Sequence, residues 1–413
     1  MSAFRLGAGV VVASLLLAAL PAALPTPLTA RADDGDPIPD AGVVVYDQQT
    51  AGFECFRIPA IIRAADGALL AFAEARRAFP GKKCHDDGSI DLVVKRSTDR
   101  GHTWSEMTTV LAGDPWGRDL GATRGNPSPI LFTQGEHAGR IVLLSTYNVE
   151  GSRAVRLPFV QYSDDNGHTW SEATDLTDQL KDGLPERGWF ATGPQHAIEL
   201  QHGRHAGRLV VGLSIGYTDE AGASHTYGAI GYSDDGGLTW HRGAMAPPPA
   251  DADHFSEVGL VEQPNGGVMA IARSRKGEKA DSMAHSRVIN VSRDGGESFT
   301  RKRFGYEPTL LTTAEVQGSV LNMASDTNDA GPVMFYAAPT HPTQRKYLSV
   351  FVSTNAGRTW DRRLEVTSDR SGYSDLVMYA QDKLGVLYET GYEDGDARDR
   401  ITYKEIWTNR LGV

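Results

Sequence analysis

Four stretches of this chain carry side chains that could do chemistry together. Arg57 sits in Phe56-Arg57-Ile58-Pro59, ahead of the strand-like run Ala60-Ile61-Ile62-Arg63. Pro59 withholds a ladder donor, which assigns the stretch to a strand start or edge, and a guanidinium between Phe and Ile is an odd filler for a structural strand. Cys84-His85-Asp86-Asp87-Gly88 offers adjacent carboxylates beside a glycine, a composition that also makes plain turns. His254-Phe255-Ser256-Glu257-Val258-Gly259-Leu260-Val261-Glu262 holds two glutamates, and Arg273 follows Glu257 by sixteen residues, the length of one hairpin. Ser371-Gly372-Tyr373-Ser374-Asp375-Leu376 carries a phenol beside a carboxylate. Carboxyl acids, carboxylate bases and a phenol are the parts of acid–base and nucleophilic catalysis. There is no Cys-x-x-Cys and no His-x-x-x-His, so nothing supports a zinc site, and no metal or cofactor is expected.

The elements that must hold these stretches announce themselves by repetition. Ser97-Thr98-Asp99-Arg100-Gly101-His102-Thr103-Trp104 returns as boxes starting at Ser163, Ser233, Ser292 and Ser353, every 59–70 residues. The pattern is Ser-x-Asp/Asn-x-Gly-x-Thr/Ser-aromatic. Asp or Asn accepts hydrogen bonds from the turn's own amides, Gly takes a positive φ, and the aromatic packs beneath. Short β-branched runs flank the boxes, such as Leu92-Val93-Val94 and Leu348-Ser349-Val350-Phe351-Val352, so each box is read as a hairpin turn. One turn motif per unit of this length predicts a repeat fold of four-stranded blades. From Val43 to Val413 there is room for six blades, one more than there are boxes. The expected fold is an all-β, six-bladed β-propeller.

Phe-Arg-Ile-Pro in the first blade together with the boxes resembles the exo-sialidases (neuraminidases) of the bacterial and animal type, over essentially the whole stretch Val43–Arg410. The resemblance implies a sialic acid substrate whose carboxylate is held by three arginines. Arg57 matches the first, Arg273 the second, with Arg275 as its near neighbour, and Arg345 the third, beside Lys346. Planar guanidiniums suit a carboxylate and stay charged. The resemblance further implies that the loop before the first box supplies the acid/base, Asp86 with Asp87 one residue away. It implies an essential glutamate, Glu257 in preference to a solvated Glu262. Tyr373 of Tyr-Ser-Asp-Leu matches the nucleophile, Glu389 the partner of the first arginine, and Arg76 a further arginine toward O4 of the sugar. Arg124-Gly125-Asn126-Pro127-Ser128-Pro129 resembles a stretch that lines the pocket. In Leu176–Gly193, Trp189-Phe190 has two readings, packing on sugar or covering a blade. A Cys55–Cys84 bridge, expected for an even pair in an exported chain, ties the Asp86 loop to Arg57.

Arg5, an apolar run from Val10 to Leu20 and Ala30-Arg31-Ala32 read as a secretory signal over 1–32. Residues 33–42 are then a disordered lead-in and 43–413 the propeller. The run is short for a spanning helix and is broken by Pro21 and Pro25, so no membrane anchor is expected. Net charge is −11, which argues against nucleic acid or an anionic membrane as partner. The expectation is a secreted, extracellular monomer acting on sialylated glycoconjugates, whose anionic sugar needs local positive charge against that balance. A transglycosylating enzyme on the same residues, a non-catalytic lectin lacking Asp86, Glu257 or Tyr373, and a protein-binding propeller lacking the arginines are the rivals.

Overall fold

The computed structural model describes Met1 and residues 41–86, 88–113, 122–148, 155–323, 333–392 and 395–413. The chain divides into Met1–Pro37 and Ile38–Val413, and the second unit holds every strand described below. Apart from Met1, the expected signal over 1–32 lies outside the described residues, as do most of the lead-in over 33–42 and Asp87.

Among the described residues the strands form six antiparallel, four-stranded units. The first runs Cys55–Arg63, Leu69–Arg76, Ile90–Ser97, Thr108–Leu111. The second is Thr123–Leu131, Ile141–Asn148, Arg156–Ser163, Thr174–Asp175. In the third, Trp189–Thr192 and Ile198–Glu199 share the inner edge before Leu209–Thr218, Ser224–Ser233 and His241–Ala246. The fourth is His254–Glu262, Val268–Arg275, Arg287–Ser292, Gly305–Tyr306. The fifth is Ser319–Asn322, Met334–Pro339, Lys346–Ser353 and the first half of Asp361–Ala380. The second half of that long strand starts the sixth, followed by Lys383–Thr390 and Arg400–Trp407. Val43–Asp47 pairs with Arg400–Trp407 and completes the sixth unit from the other end of the chain.

Six apolar clusters lie one between each pair of consecutive units, including one that joins the sixth (Val377, Leu387, Tyr403) to the first (Phe56, Ile61, Leu69). Strands covered on both faces are buried along nearly their whole length rather than alternating. Cys55–Arg63, for example, is buried at every residue but its last. The inner strands also touch in cyclic order, first to second through to sixth and back to first. The expected all-β propeller is what the chain forms.

The five boxes join the third strand to the fourth in units one to five. In the first, the Asp99 carboxylate accepts hydrogen bonds from Thr103 N (2.9 Å), Thr103 Oγ1 (2.6 Å) and Ser97 Oγ (2.8 Å), and Trp104 Nε1 donates to Gly101 O. In the fifth, Asn355 Oδ1 accepts from Ser353 Oγ and Thr359 N, while its Nδ2 donates to Thr359 Oγ1. Gly101 has φ 92° and lies so close to Tyr403 of the sixth unit that a Cβ would sit 2.2 Å from its ring. That close approach, not the turn alone, demands glycine. The sixth unit has no box because its fourth strand comes from the N-terminal side, leaving no third-to-fourth turn to make.

Candidate active site

The inner strands of units one, two and four each carry a bulge near their pocket ends, at Arg57/Ala60, Gly125/Ser128 and Ser256/Val258. At each bulge a residue other than glycine takes a left-handed φ: Ile58 55°, Asn126 54°, Glu257 58°. Bulges of this kind re-aim side chains, and such backbone is retained where surrounding contacts over-determine it. Here the contact at Ile58 is its amide, which donates to Glu389 Oε1 at 3.0 Å. The result is a cavity of about 240 Å³ lined by Arg57, Arg76, Asp86, Glu257, Arg273, Arg345 and Tyr373 among others.

Glu389 is fully buried and ties three parts of the site together. It accepts from Arg57 Nε (3.0 Å) and Nη2 (3.2 Å), from Ile58 N, and from Tyr373 N at 3.1 Å. Gly372 makes room for it, since a Cβ there would lie 2.2 Å from the carboxylate. Burial lowers the tendency of Arg57 to stay protonated, but Glu389, Tyr373 and Asp86 outweigh it and raise its pKa. Its remaining donor, Nη1, points at Asp86 Oδ1, 3.3 Å away. Asp86 also accepts from Arg76 Nη1 at 2.5 Å, while its side chain stays 63% exposed toward the cavity. Arg76 is braced from behind by Glu74 and by Cys84 O. The Cys55–Cys84 disulfide holds that loop against the strand bearing Arg57, as expected.

The Tyr373 hydroxyl donates to Glu257 Oε1. Arg273 Nη1 donates to the same hydroxyl at 3.2 Å. Arg273 Nε lies 3.0 Å from Glu257 Oε2 without the alignment of a hydrogen bond, so that contact is an ion pair only. Arg57 and Arg345 stand over the Tyr373 ring at 5.0 and 5.3 Å from its centroid. Burial pushes the Tyr373 phenol up and Glu257 adds to this, while Arg273, Arg345 and Arg57 pull it down; the balance is about 12. The phenol is therefore neutral across ordinary pH.

The residues expected at the site thus come together: Arg57, Arg76, Asp86, Glu257, Arg273, Arg345 and Tyr373 line one cavity, with Glu389 directly behind it. Asp87 lies outside the described residues. Arg275 pairs with Glu315 at 2.9 Å, and Lys346 stands over Tyr347, so neither faces the cavity. One expectation is corrected. Glu262 is not solvated but buried, its carboxylate accepting from Gln201 N (2.7 Å) and His202 N (2.9 Å). Two main-chain donors repay its desolvation. Of the Arg124–Pro129 stretch, Asn126 reaches the cavity, whereas Arg124 stacks on Tyr147 and Phe159.

Several participants escaped the sequence reading. Arg156, Asn148 and Thr123 of the second unit line the cavity. Trp189, left by the sequence between packing on sugar and covering a blade, lines it too, under the Arg156 guanidinium at 4.2 Å. Glu315 O accepts from both Arg273 Nη1 (3.1 Å) and Arg345 Nη2 (3.0 Å), a main-chain anchor that no residue type could signal. Glu74 could have been found, since it shares a strand face with Arg76 two residues on.

A family model described as a BNR repeat-like domain matches residues 67–386. The chain belongs to this BNR repeat-like family. It is 30% identical over 386 residues to a sialidase of Micromonospora viridifaciens, covering 88% of this chain and 55% of that protein. It is 27% identical over 381 residues to an exo-alpha-sialidase of Arthroderma benhamiae, covering 86% and 83%. The solved structure of the Hadza microbial sialidase Hz136 matches with a TM-score of 0.69 at 22% identity, over 89% of this chain and 68% of that one, and shows the shared fold. This BNR repeat-like chain spans about half the length of its bacterial relative. The resemblance to the sialidases read from the residues is borne out by these relatives.

Proposed function

We propose that the protein is an exo-alpha-sialidase that removes terminal sialic acids from glycoconjugates with retention, through a covalent sialyl-tyrosine. The observation that carries this is the Tyr373 hydroxyl bonded to Glu257, inside a ring formed by Arg57, Arg273 and Arg345. A sugar with a carboxylate on its anomeric carbon repels a charged nucleophile, which is why sialidases depart from the usual pair of carboxylates. A neutral phenol avoids that repulsion and needs a base beside it.

The three arginines take the sugar's carboxylate. Tyr373 attacks the anomeric carbon as Glu257 takes its proton, and Asp86 donates a proton to the departing glycosidic oxygen. Water then attacks the same carbon, losing a proton to Asp86, while the tyrosinate leaves and recovers its proton from Glu257. Two displacements at one carbon give retention. Asp86 is held at the cavity by its two arginine contacts, Arg57 and Arg76. The apolar run and Ala30-Arg31-Ala32 support a secreted protein.

The test is release of 4-methylumbelliferone from its α-sialoside by wild type and Tyr373→Phe. Turnover that falls at least ~10²-fold in the variant, the low end of what positioned proton transfer supplies, is the expected result. Binding of sialic acid without turnover by the wild type sinks the hydrolase reading and leaves a lectin.

A further inference from the structure

The wall of the cavity built by units two and three has chemistry of its own. If the proposed reaction holds, the anomeric carbon C2 sits at Tyr373, its carboxylate on Arg57, Arg273 and Arg345, and its glycosidic oxygen at Asp86. Those residues belong to units one, four, five and six. The lining outside those four units comes from units two and three: Thr123, Asn126, Asn148, Arg156 and Trp189. In a six-membered ring of C2 to C6 and one oxygen, the atom opposite C2 is C5. The substituent on C5 therefore meets the wall of units two and three.

That wall is built for oxygen. Arg156 is 5% exposed and held in place, Nε donating to Thr146 Oγ1 at 3.0 Å and Nη2 to Asn126 Oδ1. Asn126 in turn is fixed by its amide, which donates to Glu74 Oε1 at 2.8 Å. The guanidinium covers the face of Trp189, the aromatic surface on which a methyl group would otherwise rest. Asn148 is 4% exposed, and its Oδ1 is buried with no hydrogen-bond partner among the described residues. A buried acceptor without a donor costs about 1–3 kcal/mol. A ligand hydroxyl supplies a donor for Asn148 and an acceptor for Arg156 at once, and a methyl supplies neither.

We propose that Asn148 and Arg156 select sialic acids whose C5 substituent ends in a hydroxyl, as N-glycolyl or a bare 5-hydroxyl does, over N-acetyl. This rests on the sialidase reading and gives that site its substrate class. A site made to hydrogen-bond a hydroxyl rejects the analogue that lacks it more strongly than an apolar pocket rejects a missing methylene.

Three 4-methylumbelliferyl α-ketosides, identical except for N-acetyl, N-glycolyl or hydroxyl at C5, test it by kcat/KM. The wild type should favour the two hydroxyl-bearing substrates at least ~10-fold over N-acetyl. Asn148→Leu and Arg156→Met should each bring that ratio toward unity while still cleaving the N-acetyl substrate. If Arg156→Met does not fold, Asn148→Leu and competition by the three free sugars against wild type carry the test. A wild type that prefers N-acetyl, or a ratio that Asn148→Leu leaves unchanged, overturns the inference. Failure to cleave any of the three overturns the hydrolase reading, and this inference with it.

Discussion

Tyr373 and Glu257 behave as one unit, because the phenol cannot ionise unaided. Burial and the neighbouring carboxylate hold its pKa at about 12, above the ordinary value near 10. Glu257→Gln should therefore lower kcat by ~10²–10⁴, the range for a positioned acid or base. Raising the pH to 9 should not restore it, since burial, the largest cause, still pushes the phenol up once the carboxylate is gone. A pH–rate profile of the variant that climbs tenfold per pH unit would show the tyrosine acting alone. Most of these side chains were legible because their types are unusual for where they sit: an arginine before Ile-Pro, a tyrosine in Ser-Gly-Tyr-Ser-Asp. Glu262 was misread because burial is invisible in sequence; its two amide donors come from Gln201 and His202, some sixty residues away. Arg156 gave no signal, since its partners Thr146, Asn126 and Trp189 meet only once units two and three are packed.

The box turns carry most of the fold's legibility and part of its acid sensitivity. Burial pushes the Asp165 carboxyl up, but hydrogen bonds from Thr169, Ser163 and His168 outweigh it and hold the group at about 2. Asp99, Asp235 and Asp294 are lowered by equivalent bonds against the same burial. A carboxyl lowered on folding stabilises the fold above its unfolded pKa of ~3.9, and that contribution fades as pH falls toward the folded value. The melting temperature should thus drop between about pH 4 and pH 2. Asp165→Asn, which Asn355 shows to be compatible with the turn, should make that drop shallower in thermal melts across this range. An unchanged slope would mean the box carboxylates are not its source. What the boxes did not reveal are the inner-strand bulges at Ile58, Asn126 and Glu257. Their positive φ is imposed by tertiary contacts such as Ile58 N to Glu389, not by local residue preference.

At the scale of the whole described unit, the ring of sheet units closes because Val43–Asp47 and Arg400–Trp407 share the sixth. Six blades against five boxes was readable as arithmetic; the missing turn is explained only by the pairing of Val43–Asp47 with Arg400–Trp407. The Cys55–Cys84 bridge then fixes the Asp86 loop to the first inner strand. Its 29-residue separation corresponds to about 3–4 kcal/mol on the chain-entropy model. The double variant Cys55→Ser with Cys84→Ser should lose a stability of that order in denaturant unfolding. It should also raise KM, because Cys84 O braces Arg76 beside Asp86. A KM that stays put would separate the bridge from the site. The positive lining of the cavity, set against a net charge of −11, fits an anionic sugar drawn to one locus on an otherwise acidic protein.

A covalent bond between the sugar and Tyr373 would be directly readable. A sialosyl fluoride with a second fluorine at C3 loads through its good leaving group and turns over slowly, because the electron-poor ring resists the second displacement. After brief exposure, digestion and mass spectrometry, the added sugar should appear on the peptide containing Tyr373, with the label absent from Tyr373→Phe. A label on Glu257 or Asp86, or turnover of a natural sialoside with inversion at the anomeric carbon, would contradict it.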